Sequence, residues 1–429
     1  MEKGERIFKS EVFGETVREE HISDIMGWRA SYIRKMLGKK IPCDSRCSDY
    51  YRFGWEKFGP FLYGYVRWLY KNIKKTPVKK VFFFSRDGFM MDCAFQLIND
   101  KSIKTKYVYF SRRSIRQALL WRCSTFEESL QYLTWERFVS AGKMLEYYGF
   151  DEAERKNIVE RYNIDISKNY EYDLLRSSNE LKKLYLDLKP IIDQKSRKQN
   201  ELLLGYLHQI DMLGECAIVD IGWHGSMQYF LEQFIEQHDM DTKIYGFYIG
   251  ISPSYPLKGK VDGFLYEQNN LRLRKSLLCF LGGYERLFQS IEGSTCGYMK
   301  QGESIVPVLD RYEYQEHEEI ISCIKEWQKG ALEFIKEAML VELQYQDEEL
   351  SMPLVEFGRN PSMKDIRLFS ALYNTDGVKS YYISQKRLFE YKMREFVLAL
   401  SNSVWKTGFM KSVFKIPFPY YFIYCLMKK

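Results

Sequence analysis

Three short segments of this 429-residue chain place charged, glycine and hydroxyl residues directly behind an apolar run. The first is Ser85-Arg86-Asp87-Gly88. Such a glycine lets backbone approach a ligand, the guanidinium forks onto phosphate, and the carboxylate holds a metal or takes a proton. The second is Ser111-Arg112-Arg113, where adjacent arginines suit a pyrophosphate clamp. The third runs Asp220-Ile221-Gly222-Trp223-His224-Gly225-Ser226-Met227-Gln228. Two glycines and a serine in a strand-to-helix turn cradle phosphate through backbone N–H groups, although no Walker pattern is present. Asp220, ahead of that turn, is placed to coordinate magnesium. The competing reading is helix-capping aspartates beside exposed arginines, a core tryptophan and a solvated histidine. The density of these residue types favours function at the first and third segments. The second is evenly balanced against ordinary surface charge. A fourth segment, Glu285-Arg286-Leu287-Phe288 and then Gly293 to Tyr298, repeats the mix weakly and reads alone as a loop.

Such tips act together only if the elements carry them to one place. Val81–Ser85, Lys106–Phe110, Cys216–Ile221 and Ile244–Ile251 are short apolar runs that read as strands. Helical patterns follow the first three, over Phe89–Ile98, from about Ser114 and from about Ser226. This alternation predicts an α/β fold with a parallel-type sheet core. Ligands of open α/β sheets bind at the carboxyl ends of strands, where helix N-termini also point. The predicted organisation is an N-terminal helical region over 1–75, with a weak helical pattern at Ile22–Leu37 and a clearer helix from Pro60. An α/β ligand-binding core follows over 76–305, with a charged helical insertion or cap at about 125–212. A C-terminal helical region covers 306–429, with Ser362 and Asp365 spaced as a capping box.

Composition sets the outer limits. Hydrophobic residues make up 45% and charged residues 28%, as in a folded protein with a large core. The net charge of +7 favours anionic partners but is too diffuse to indicate nucleic acid. Nine cysteines carry no CxxC pair, which predicts reduced thiols in the cytoplasm. No secretory signal and no run of about 18 apolar residues is visible. Ser-His-Asp order, GxSxG, HExxH and GxGxxG are all absent, so nucleophilic hydrolase and dinucleotide readings lack support.

Five blocks in order add a resemblance: FGWEKFGPFLYGYVRWL (53–69), VFFFSRDGFMM (81–91), YFSRRSIRQAL (109–119), VDIGWHGSMQ (219–228) and ERLFQSIEGSTCGY (285–298). Together they resemble the C-terminal portion of polysaccharide-cluster proteins labelled haloacid-dehalogenase-superfamily hydrolases. The phosphatase half of those proteins carries an N-terminal DxD nucleophile that this sequence does not show. The remaining half resembles a glycan phosphoribosyltransferase, which moves ribose 5-phosphate from phosphoribosyl pyrophosphate to a growing glycan. The resemblance thus implies a glycosyltransferase of surface-polysaccharide biosynthesis using Mg²⁺, a glycan acceptor on a lipid, and a separate phosphatase acting afterwards. Joined to the residue reading, it makes Asp87, Asp220 and Glu285 the catalytic acids, with the roles of general base and metal ligand divided between Asp87 and Asp220 in either order and Asp220 the metal candidate. The donor phosphates fall to Arg86, Gly88, Ser111, Arg112, Arg113, Gly222, Trp223, His224, Gly225, Ser226 and Gln228. The rival expectations are a non-catalytic adaptor of a polysaccharide assembly complex and, less well supported, a sugar-phosphate phosphatase.

The last segment has its own composition. Residues 401–429 hold five lysines, eight aromatics and no acid. Lysine beside Phe, Tyr and Trp suits a membrane interface, which predicts peripheral attachment to the inner leaflet. The alternative is a terminal element docked on the core with its lysines turned outward.

Overall fold

The apolar runs pair side by side in one five-stranded, all-parallel sheet: β1 (Lys80–Phe84), β2 (Lys104–Val108), β3 (Gly214–Trp223), β4 (Thr242–Ile251) and β5 (Lys260–Tyr266). This is a computed structural model, and it describes residues 47–133, 138–341, 343, 345–374 and 379–428. The helical pattern expected at Ile22–Leu37 lies outside the described residues. Spatial order is β2-β1-β3-β4-β5. Side chains of a strand alternate between faces, and both faces are covered here, so β1 is apolar from Val81 to Phe84. Val81 and Phe83 enter one core with Ala217, Val219 and Phe247. Phe82 and Phe84 enter the other with Cys216 and Ile218.

The first core gathers helices from both ends of the chain. Helix α1 (Gly59–Ile73) starts at Gly59-Pro60 and joins α2 (Gly88–Ile98) on this face. A π-turn at Gly54–Phe58 precedes α1 and packs against a long C-terminal helix, Glu318–Leu340. Glycine is needed for that crossing: a Cβ at Gly54 would collide with the Trp327 carbonyl, and one at Gly59 would meet Phe334 at 2.6 Å. The second core contains α3 (Arg112–Gln117), the insertion with α4 (Ala141–Tyr147) and the 31-residue α5 (Asn179–Gln209), and α6 (Ser226–Gln237).

Several expectations move. The second strand begins and ends two residues earlier than its apolar pattern suggested, and its helix starts at Arg112. The edge strand β5 was not expected, because its first five residues are only part-buried or exposed and its pattern is mixed. The segment read as a loop around 293–298 opens a hairpin, β6 (Thr295–Gln301) with β7 (Ser304–Leu309). Helix resumes only at Glu318, so the expected turn to helix after about 305 comes later. Ser362 and Asp365 do form the capping box. Seven cysteines are free, whereas Cys47 is disulfide-bonded, against the expectation of reduced thiols throughout.

The final segment docks on the first core. Trp405, Phe409, Met410, Val413, Tyr420, Tyr421 and Tyr424 are buried there, and Trp405 donates its Nε1–H to the Gly358 carbonyl at 2.9 Å. Lys406 does not point outward: it donates to the Ser401 and Ser403 carbonyls, and burial beside Lys428 lowers it to about 8. No helix among the described residues is long and apolar enough to cross a membrane.

Candidate functional site

Strand order reverses between β1 and β3, because β1 is followed by β2 on one side and has β3 on the other. Crevices of doubly wound sheets open at such a switch point, beyond the carboxyl ends of the strands. A cavity of about 270 Å³ lies there. Its walls are the three polar tips: Ser85–Asp87 behind β1, Ser111–Arg113 behind β2 and Asp220–Met227 closing β3. Glu285 and Gln289, from or just beyond helix α7 (Leu281–Phe288), complete the floor.

Two carboxyls dominate its electrostatics. Asp87 precedes α2, yet its side chain does not cap that helix, and its buried Oδ1 has no hydrogen-bond partner. Asp220 stands inside β3, five residues before the N-cap Gly225 of α6, and is no cap either. Both capping alternatives therefore fail. Desolvation raises Asp220 to about 7, and the charge of Asp87 adds to it against the Ile221 N–H and Arg112. Desolvation also raises Asp87, opposed by the Gln289 hydrogen bond and by Arg86, Arg112 and Arg286. Two buried carboxyls, one raised by the charge of the other, titrate as a pair.

The turn after β3 is conformationally unusual. Gly222, Trp223 and Gly225 all have positive φ, at 106°, 75° and 73°. A Cβ at Gly222 would collide with the Gly250 carbonyl and sit 2.9 Å from Tyr248 Cβ. Trp223 holds a left-handed conformation that costs a non-glycine residue about 1–2 kcal/mol. The return is visible in its side chain: Nε1 donates to Glu285 Oε1 at 3.1 Å, and the ring stacks on Tyr266. The N-terminus of α6 then presents Ser226 and Met227 to the cavity, where unpaired N–H groups attract anions. His224 is exposed at the rim, with Ser254 Oγ 3.3 Å from Nδ1. Desolvation within the cleft, then Arg274 and Arg112, hold its ring below the ordinary histidine value.

The chain matches no family model and no curated protein.

Not every expected phosphate contact faces the cavity. Gln228 lies outside it, fully buried: it accepts from the Tyr248 hydroxyl at 2.7 Å and donates to Glu232 at 2.7 Å. Gly88 is also outside; it lets α2 approach β1, since a Cβ there would lie 2.8 Å from the Phe83 carbonyl carbon. The Ser111 hydroxyl is at the wall but already engaged, accepting from Ser114 N–H at 2.9 Å and donating to the Thr295 carbonyl at 2.6 Å. Trp223 lines the cavity, while its indole is buried in the first core and bonded to Glu285. Arg86 binds Glu313 at 2.7 Å, as does Arg286 at 2.7 Å, so one buried carboxylate joins two guanidiniums. Burial opposes the Glu313 charge, but Arg286 and Arg86 outweigh it and hold this carboxyl below its ordinary range. Arg113 reaches Glu146 at 3.2 Å and Asp310 at 3.5 Å. Arg112 is exposed at the rim.

The sequence reading missed a fourth wall. Lys143, Glu146 and Tyr147 of α4 line the cavity, so the insertion does lean over the sheet. Their i, i+3, i+4 spacing marks one helix face and was the available signal. Thr295 and Asp310, at the ends of the β6–β7 hairpin, carried no such signal. For a metal, Asp87 and Asp220 offer hard oxygen ligands, one of them an oxygen lacking any partner. A magnesium ion takes one or two carboxylates and completes its shell with water and phosphate oxygens, so the pair fits. No cluster of three or more metal-binding acids, histidines or cysteines occurs among the described residues.

Proposed function

We propose that this chain is a glycosyltransferase that moves ribose 5-phosphate from phosphoribosyl pyrophosphate to a glycan acceptor in surface-polysaccharide assembly. The observation that carries the reading is the Asp87–Asp220 pair on the floor of a switch-point cavity rimmed by Arg112, Arg113 and the α6 N-terminus. Carboxylates beside anion sites in one cavity are what a phosphorylated donor and a hydroxyl acceptor require. In this reading the bond from sugar C1 to the pyrophosphate oxygen breaks and a bond from C1 to the acceptor oxygen forms. Arg112, Arg113 and the N–H groups of Gly225 to Met227 stabilise the departing pyrophosphate.

Asp87 takes the acceptor proton, since its Oδ1 is unoccupied and its pKa lies above the ordinary carboxylate range. Asp220 would hold magnesium, which would supply charge neutralisation at the pyrophosphate. Glu285 is fixed by the Trp223 indole and lines the acceptor side. A lipid-linked acceptor would bring the chain to the cytoplasmic face of the membrane, and a separate phosphatase would remove the 5-phosphate.

Calorimetric titration of phosphoribosyl pyrophosphate, with and without magnesium, tests this. Magnesium-dependent binding should be lost in Asp220→Ala and retained in Asp87→Asn, which instead loses turnover. A well-folded protein that binds no donor removes this reading and leaves the adaptor alternative.

A further inference from the structure

The charge of the chain is concentrated at its end. Residues 379–429 contain ten basic side chains and two acidic ones, a net +8, against +7 for the whole chain. Residues 1–378 therefore sum to −1. The same segment carries nine of the nineteen large apolar side chains that are exposed among the described residues. Phe389 and Met393 are each 78% exposed, Val397 58% and Leu398 56%. Ile416 and Phe418 follow at 52% and 49%.

Packing ties these positions to one region. Helix α8 (Met393–Asn402) rests on α9 (Lys406–Phe414) through Phe396, whose ring lies 6.0 Å from Phe409 and 5.9 Å from Phe414. Phe414 stacks on Tyr420, and Phe418 lies 5.8 Å from that same ring. Phe396 thus faces inward, and Met393 and Val397, one turn apart on another face of the helix, are left in solvent. Lys392, Arg394, Lys415 and Lys428 are exposed on these elements. The acids are accounted for nearby: Glu395 is 3.7 Å from Lys386, and Glu390 accepts the Arg387 N–H at 2.5 Å.

We infer that the face bearing Phe389, Met393, Val397, Ile416 and Phe418 docks on an anionic phospholipid bilayer. An interfacial helix buries apolar side chains at the headgroup boundary while surrounding cations meet anionic lipid. A protein partner or second copy would also cover apolar area, but the excess of ten cations over two acids selects a negatively charged surface. The residues differ from the composition-based expectation: most aromatics of 401–429 are buried, and insertion falls to 389–398 and the Ile416–Phe418 loop. The inference deepens the membrane element of the proposed function. Its failure is separable, because vesicle binding and donor binding are read independently.

The test is cosedimentation of the full chain with phosphatidylcholine–phosphatidylglycerol vesicles and with phosphatidylcholine alone, at low and raised salt. Binding is expected only with the anionic lipid and should weaken with salt. A Phe389→Ser, Met393→Ser, Val397→Ser variant should partition at least about tenfold more weakly while keeping its melting temperature, since these side chains are exposed. No binding to anionic vesicles, or equal binding by the variant, overturns the inference. So does light scattering that shows a dimer dissociated by the same substitutions, which would make this face a contact between copies.

Discussion

At the scale of single residues, the Asp87–Asp220 pair should leave a mark on stability as well as on chemistry. The Asp220 carboxyl titrates near 7 in the native protein, well above the value of about 3.9 expected in an unfolded chain. Protonation therefore favours folding: the contribution is fully present below about pH 4 and is lost as pH rises through 7. Asp220→Asn removes the titration. Its advantage over the native protein should grow from near zero at acid pH to about 2–4 kcal/mol at a plateau above neutrality. Thermal melts across that range check this, and added magnesium should stabilise the native protein more than the variant.

What the sequence disclosed at this scale was residue type and position along the chain, and what it hid was side-chain direction. Asp87, Asp220, Arg112 and the Gly222–Ser226 turn were legible because polar tips behind apolar strands have few structural uses. Gln228 was misread although the pattern that buries it was present: Gln228, Leu231, Glu232 and Ile235 form the inward stripe of their helix. Arg86 was legible as a charge, but Glu313 lies 227 residues away and nothing local announces it.

At the scale of elements, the β3–α6 turn is the piece most sensitive to substitution. Gly222→Ala adds left-handed strain and a collision with the Gly250 carbonyl of the neighbouring strand. A loss of about 2–4 kcal/mol is expected, read by denaturant unfolding, with donor binding weakened beyond what stability explains. A Gly54→Ala change should cost a comparable amount, read the same way, because a Cβ there collides with the Trp327 carbonyl and separates the π-turn from the long helix. The four strands with clear apolar runs were legible; β5 and the β6–β7 hairpin were not. Edge strands and hairpins facing solvent keep mixed side chains, so the continuous apolar run that marks a strand buried on both faces is missing there.

At the scale of the whole molecule, the ends of the chain belong to one core. α1, the long helix from Glu318 and the terminal helices all bury against the same sheet face. Removing residues 401–429 would delete seven buried aromatic and aliphatic side chains, Trp405 among them, and uncover the core rings they pack on, such as Phe280, Phe357 and Phe369. Each contributes roughly 1.5–3 kcal/mol, which together matches or exceeds the entire stability of a typical domain. The truncated chain is expected to lose its cooperative melting transition, checked by calorimetry. This is why lipid attachment has to be tested by exposed-residue substitution and not by deletion.

The buried fork of Arg86 and Arg286 on Glu313 has a consequence for how the molecule comes into being. Arg86 leaves the first strand, while its partner is synthesised 227 residues later. Until that carboxylate arrives, two guanidiniums beside Asp87 lack their counter-charge, and the loop behind β1 has no anchor on its far side. During synthesis the first strand and α2 leave the ribosome long before residue 313, so the cavity stays unfinished until that carboxylate has emerged. A nascent chain would therefore gain the means to hold a phosphorylated ligand only late in its synthesis.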